Sequence, residues 1–105
     1  MITTHVLDTA RGCPAAGVPV RLELQEPGGW RLVGEGTTDA DGRLRALTGG
    51  PPAPGVYRLR FDVAAYLGAD AFYPWVEVAF AVREPTHHHV PLLLSPFGYS
   101  TYRGS

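Results

Sequence analysis

Interruption constrains this chain more than any other feature. Thirteen glycines and ten prolines are spread through 105 residues, leaving segments too short to make stable helices. Those segments are rich in β-branched and aromatic side chains and alternate apolar with polar, the period-two pattern of half-buried strands. The fold class is therefore all-β. Strands are expected at about residues 2–8, 18–25, 30–36, 43–47, 56–62, 75–82, 88–94 and 99–103. Eight short strands suit a sandwich of two sheets. Within "DADGR", Asp41-Gly42 reads as a hairpin turn, because glycine accepts the positive φ that a tight turn demands. "GGPPAPG", residues 49–55, reads as an exposed connection. "DVAAYLGAD", residues 62–70, combines helix-forming alanines with a leading aspartate, and a short helix is expected there.

The length suits one domain spanning 1–105 around one core. Nine basic and ten acidic side chains give a net charge of -1, so no global field draws the chain to nucleic acid or an anionic membrane. Cys13 has no second cysteine to pair with, which fits a reducing compartment and makes the cytoplasm the expected location. No basic start followed by an apolar run opens the chain, and no apolar stretch approaches the ~20 residues of a membrane span.

Alternation sorts the side chains by face. Thr3, His5 and Leu7 share one side of the first strand, and Ile2, Thr4 and Val6 the other. In the seventh strand His87, His89, Pro91 and Leu93 oppose His88, Val90, Leu92 and Leu94. Faces that mix imidazole with apolar carbon suggest a subunit interface with polar chemistry embedded in it. Histidine is also the side chain that titrates beside neutral pH, so a pair can hold and deprotonate a water without a cofactor. Taken singly, His5, His87, His88 and His89 each read as ordinary core-edge residues. Two histidines at i and i+2 on a strand can also ligate zinc, but a third or fourth ligand is not evident from the spacing. Arg43 projects from the start of a strand and offers a fork of donors for a carboxylate or an oxyanion; Arg45 shares its parity, so spacing does not choose between them. There is no G-x-S-x-G elbow, phosphate loop or cysteine pair.

Three stretches together carry a family resemblance: "THVLDTARGCPAAGVPVRLEL", "TDADGR" with "YRLRFDVAAYL", and "HVPLLLSPFGYSTYRGS". In this order they cover nearly the whole chain and resemble the transthyretin-like 5-hydroxyisourate hydrolases; the terminal "YRGS" looks like the signature that separates those hydrolases from the hormone-binding transthyretins. The resemblance implies a sandwich of two four-stranded sheets with one short helix, assembled as a homotetramer, a dimer of dimers with sites in the channel between dimers. It implies hydrolytic opening of 5-hydroxyisourate to 2-oxo-4-hydroxy-4-carboxy-5-ureidoimidazoline in urate breakdown, with no metal or organic cofactor. Carried over, the catalytic residues fall on His5, Arg43 and His89. The substrate-binding residues fall on Tyr102, Arg103, Gly104 and Ser105. Where the family commonly has His-Tyr-His in the seventh strand, this chain has His88 at the centre, on the side away from His89. The alternatives are a transthyretin-type carrier of a small ligand and a metal-binding β-sandwich.

Overall fold

In the computed structural model, which describes residues 1–105, the apolar side of each alternating segment turns inward and two sheets close on it. The elements run β1 (Ile2–Asp8), β2 (Cys13–Pro14), β3 (Pro19–Glu26), β4 (Gly29–Thr37), β5 (Arg43–Leu44), β6 (Gly55–Phe61), α1 (Ala64–Leu67), β7 (Val76–Val82), β8 (His88–Ser95) and β9 (Gly98–Thr101). One sheet has the order β4-β3-β6-β7. In the other, β8 lies between β1 and β9, while β2 and β5 share the far edge of β1. β5 pairs with Thr4 and His5, and β2 with Leu7 and Asp8. This sheet thus has five strands but is only four wide, because two two-residue pieces fill one slot.

The β1–β8 pair is parallel, and all other pairs are antiparallel. Its register sets Thr3 beside His89 and His5 beside Pro91, so these four side chains share the outer face of the sheet. The inner face carries Ile2, Val6, Val90, Leu92 and Leu94, packed on Val20, Leu22, Leu59 and Phe61 of the facing sheet. Thr4 also points inward and satisfies its hydroxyl by donating to the Val90 carbonyl at 2.6 Å. The alternation read from residues 2–8 and 87–94 is borne out by this division.

Several details differ from the sequence reading: β2 was not expected, and the strand expected at 99–103 ends at Thr101. The strand expected at 43–47 stops at Leu44, and Leu47 packs into the core from an irregular segment. Gly34 and Gly36 of β4 make room for that segment: a Cβ on Gly34 would collide with the Leu47 carbonyl, and one on Gly36 would lie 2.8 Å from a Leu44 methyl. The Asp41-Gly42 turn does contain positive φ at Gly42, +74°, but it joins strands of different sheets and so is no hairpin. The Asp39 carboxylate fastens it by accepting from the amides of Asp41 and Arg43, both at 2.9 Å. Finally, Pro52 is buried inside the 49–55 connection, which is otherwise largely open to solvent. The helix lies where the sequence suggested, with the Asp62 carboxylate accepting from the Ala65 amide at 3.2 Å.

Candidate active site

The outer face of β1, β5 and β8 carries an open cleft of about 470 Å³. Its lining includes Thr3, Arg43, Arg45, His87, His89 and Ser105, and Met1 is its only apolar residue. The Asp39-bound turn delivers Arg43 directly opposite His5 across the β1–β5 ladder. Paired residues in a ladder project to the same side, so His5 and Arg43 adjoin at the end of the cleft. The two arginines that sequence parity left equivalent are now distinct. Arg45 lies 3.9 Å from the Asp39 carboxylate, whereas the half-buried Arg43 guanidinium belongs to no ion pair. A guanidinium without a protein carboxylate retains its donors for a ligand oxygen.

The Thr3 hydroxyl stands between two histidines. Its Oγ1 lies 2.8 Å from His87 Nε2 and 2.7 Å from His89 Nδ1, and the two imidazole centroids are 6.2 Å apart. Thr3 is buried, His89 half-buried, and His87 exposed, so the three form a short polar path from the sheet to solvent. Burial and the neighbouring Arg43 cation both lower the pKa of His5 below the ordinary 6.5. Burial, Arg43, His87 and His5 lower that of His89 in the same direction. Both rings are therefore neutral at neutral pH, the state in which an imidazole nitrogen accepts a proton.

The tail closes over this arrangement through one residue. The Gly104 amide donates to the His89 carbonyl at 2.8 Å, and a Cβ on Gly104 would lie 2.6 Å from His89 Cδ2 and 3.2 Å from Pro91 Cγ. Glycine is needed there for space, because its backbone rests against the imidazole. Ser105 then enters the cleft. Tyr102 and Arg103 do not. They line a neighbouring pocket of about 190 Å³ with His88, Val78, Phe80 and His89, the last shared with the cleft, because the tail leaves β8 after Thr101 and rejoins it only at Gly104. His88 faces inward and its Nδ1 pairs with the Thr86 carbonyl at 2.8 Å, away from the cleft as parity required.

Of the residues singled out from sequence, His89, Arg43 and Ser105 line one cleft, His5 and Gly104 adjoin it, and Tyr102 and Arg103 line the neighbouring pocket that shares His89. Thr3 went unmarked, although its shared parity with His5 was the available signal. No three His, Cys, Asp or Glu side chains converge in a metal-binding arrangement.

Residues 2–104 match the model of the HIUase/Transthyretin family. The chain belongs to that family. Among members of the HIUase/Transthyretin family, the 5-hydroxyisourate hydrolase of Mus musculus is 48% identical over 111 residues, covering 99% of this chain and 94% of the mouse protein. The Arabidopsis thaliana uric acid degradation bifunctional protein is 48% identical over 120 residues, and there this chain spans only 37% of its relative's length. The structure of Klebsiella pneumoniae 5-hydroxyisourate hydrolase superposes with a TM-score of 0.88 at 33% identity, covering 99% of this chain and 97% of that one. Transthyretin from Sparus aurata gives the same TM-score, 0.88, at 34% identity, covering 98% and 95%. The backbone is thus equally close to a hydrolase and to a transthyretin. Discrimination between them rests on the side chains of the cleft.

Proposed function

We infer that this chain is a 5-hydroxyisourate hydrolase acting in urate degradation, opening the substrate ring to 2-oxo-4-hydroxy-4-carboxy-5-ureidoimidazoline. The observation that carries the reading is the polar cleft, where an unpaired Arg43 lies beside His5 and near His89, both held neutral. A pocket built for an apolar ligand gains nothing from exposing that much unsatisfied polarity to it. His5 and His89 hold a water and remove its proton as it attacks the ring carbonyl. Arg43 donates to the oxygen on which negative charge develops. Ser105 hydrogen-bonds the substrate from the tail, and Gly104 permits the tail's close approach to His89.

Tyr102 and Arg103 enter the site in this reading through assembly. The chain forms a homotetramer, a dimer of dimers in which they line a channel completed by a neighbouring copy; the unpaired outer edges of β7 and β9 support such association. Residues 1–105 act as one domain, in the cytoplasm, without metal or organic cofactor.

The test is a spectrophotometric assay in which urate oxidase generates 5-hydroxyisourate in place. The protein is expected to accelerate its disappearance over the spontaneous rate, with undiminished activity in EDTA. Arg43→Ala is expected to lose about 10²- to 10³-fold in kcat. No acceleration by folded, assembled protein would sink the hydrolase reading in favour of a small-ligand carrier.

A further inference from the structure

We propose that Thr3 is a positioning residue that fixes the tautomer of His89, and that His87 is the outlet through which His89 exchanges its proton with solvent. The proposal rests on the hydrolase reading for its catalytic use and on geometry for its chemistry. A threonine hydroxyl has one proton, so it donates to only one of the nitrogens at 2.7 and 2.8 Å. The other nitrogen must bring its own proton and donate to the oxygen. The trio is therefore directional: one ring is a donor at Thr3 and the other an acceptor.

Only one direction leaves His89 able to act as a base through its remaining nitrogen. His89 Nδ1–H donates to Thr3 Oγ1, and the Thr3 hydroxyl donates to His87 Nε2. This leaves a lone pair on His89 Nε2 and the proton of neutral His87 on its Nδ1. When His89 Nε2 takes a proton from the attacking water, its Nδ1 proton passes to Thr3 Oγ1. The original hydroxyl proton moves to His87 Nε2, and His87 releases its Nδ1 proton to solvent. His89 finishes neutral with its proton on Nε2. There it serves as the acid that protonates the leaving ring nitrogen as the carbon–nitrogen bond breaks. As that bond breaks, a solvent proton entering at His87 Nδ1 drives the same path backwards to His89 Nδ1, so His89 gives up its Nε2 proton without becoming an imidazolate and the starting tautomers are restored. One proton leaves and one returns in each cycle, so the sequence balances.

The placement of the three residues suits these roles. Thr3 is 6% exposed, which protects its hydroxyl from competing water, while the exposed His87 lies just outside β8 where it can trade protons with bulk solvent. The parallel register puts Thr3 beside His89, and parity along 87–89 returns His87 to the same face.

Nitrogen-15 NMR of labelled imidazoles tests the tautomer without substrate. Wild-type His89 is expected with its proton on Nδ1, Thr3→Val with a mixture of tautomers, and Thr3→Ser with the wild-type pattern. In the hydrolase assay, Thr3→Val is expected to lower kcat about 10- to 100-fold with little change in KM, and Thr3→Ser to restore it. His87→Gln keeps an acceptor for Thr3 but cannot pass a proton on, and its exposed position spares the fold. Its kcat is expected to fall in dilute buffer and to recover when imidazole buffer is added. If Thr3→Val leaves the His89 spectrum unchanged, or if His87→Gln keeps full kcat in dilute buffer, the relay is wrong. An inactive but folded wild type would instead overturn the hydrolase reading and the relay's use in catalysis, with the spectrum still judging the tautomer.

Discussion

At the scale of single residues, the cleft keeps imidazoles neutral beside a cation. His5 and His89 both have lowered pKa values, through burial first and Arg43 next. The acid limb of kcat/KM is therefore expected below 6.5, with the two rings titrating as a coupled pair, and a pH–rate profile checks it. Stability follows the same sign. Between the lowered folded values and the ordinary 6.5, the unfolded chain binds more protons, so stability rises with pH through that window and levels off above it. Urea midpoints measured against pH should show this rise, and it should flatten in a His5→Gln, His89→Gln double variant. Gly104→Ala presses a methyl against His89 Cδ2 and should lower kcat at least tenfold while the melting temperature stays within about 2 °C, since the tail adds little to the core. That His5 and His89 share a face was legible from parity, and the resemblance marked Arg43 and Gly104, which the structure places at or beside the same cleft. The bridging role of Thr3 was not legible, because it depends on a register between strands 86 residues apart.

Among the elements, the least legible were the shortest. β2 has two residues and was not among the expected strands, and β5 keeps only the first two of the expected 43–47; pieces this short carry no periodic signal and are strands through the edge that β1 offers them. Gly34 falls inside the strand expected at 30–36, and it is where the Leu47 main chain crosses β4. Gly34→Ala is expected to cost on the order of 1–3 kcal/mol, read as a lowered urea midpoint with an unchanged slope. The junction after β4 depends on Thr38, whose buried hydroxyl accepts from the Val18 amide at 2.9 Å and donates to the Ala15 carbonyl at 2.7 Å. Thr38→Val leaves both main-chain groups without that partner and should cost about 1–3 kcal/mol by the same measurement. Longer elements were legible throughout: β1, β3, β6, β7 and β8 all lie where alternating apolar residues required them.

As a whole molecule, the chain leaves association surfaces open. β7 and β9 end their sheets without partners, and Phe72, Tyr73, Phe97 and Tyr99 form an exposed aromatic cluster beside the β8–β9 turn. Sedimentation is expected to give about four chain masses, and activity per chain should fall on dilution together with the melting temperature; a fully active monomer would overturn the assembly. The parallel pairing of β1 with β8 has a further consequence, for biosynthesis. Eighty-six residues separate Thr3 from His89, so the two meet only after the whole stretch between them has been synthesised. Until β8 arrives, the nascent polypeptide holds an apolar first strand with a vacant edge. It then runs its greatest risk of being captured by another nascent copy, and that hazard ends with the same step that brings the histidines together.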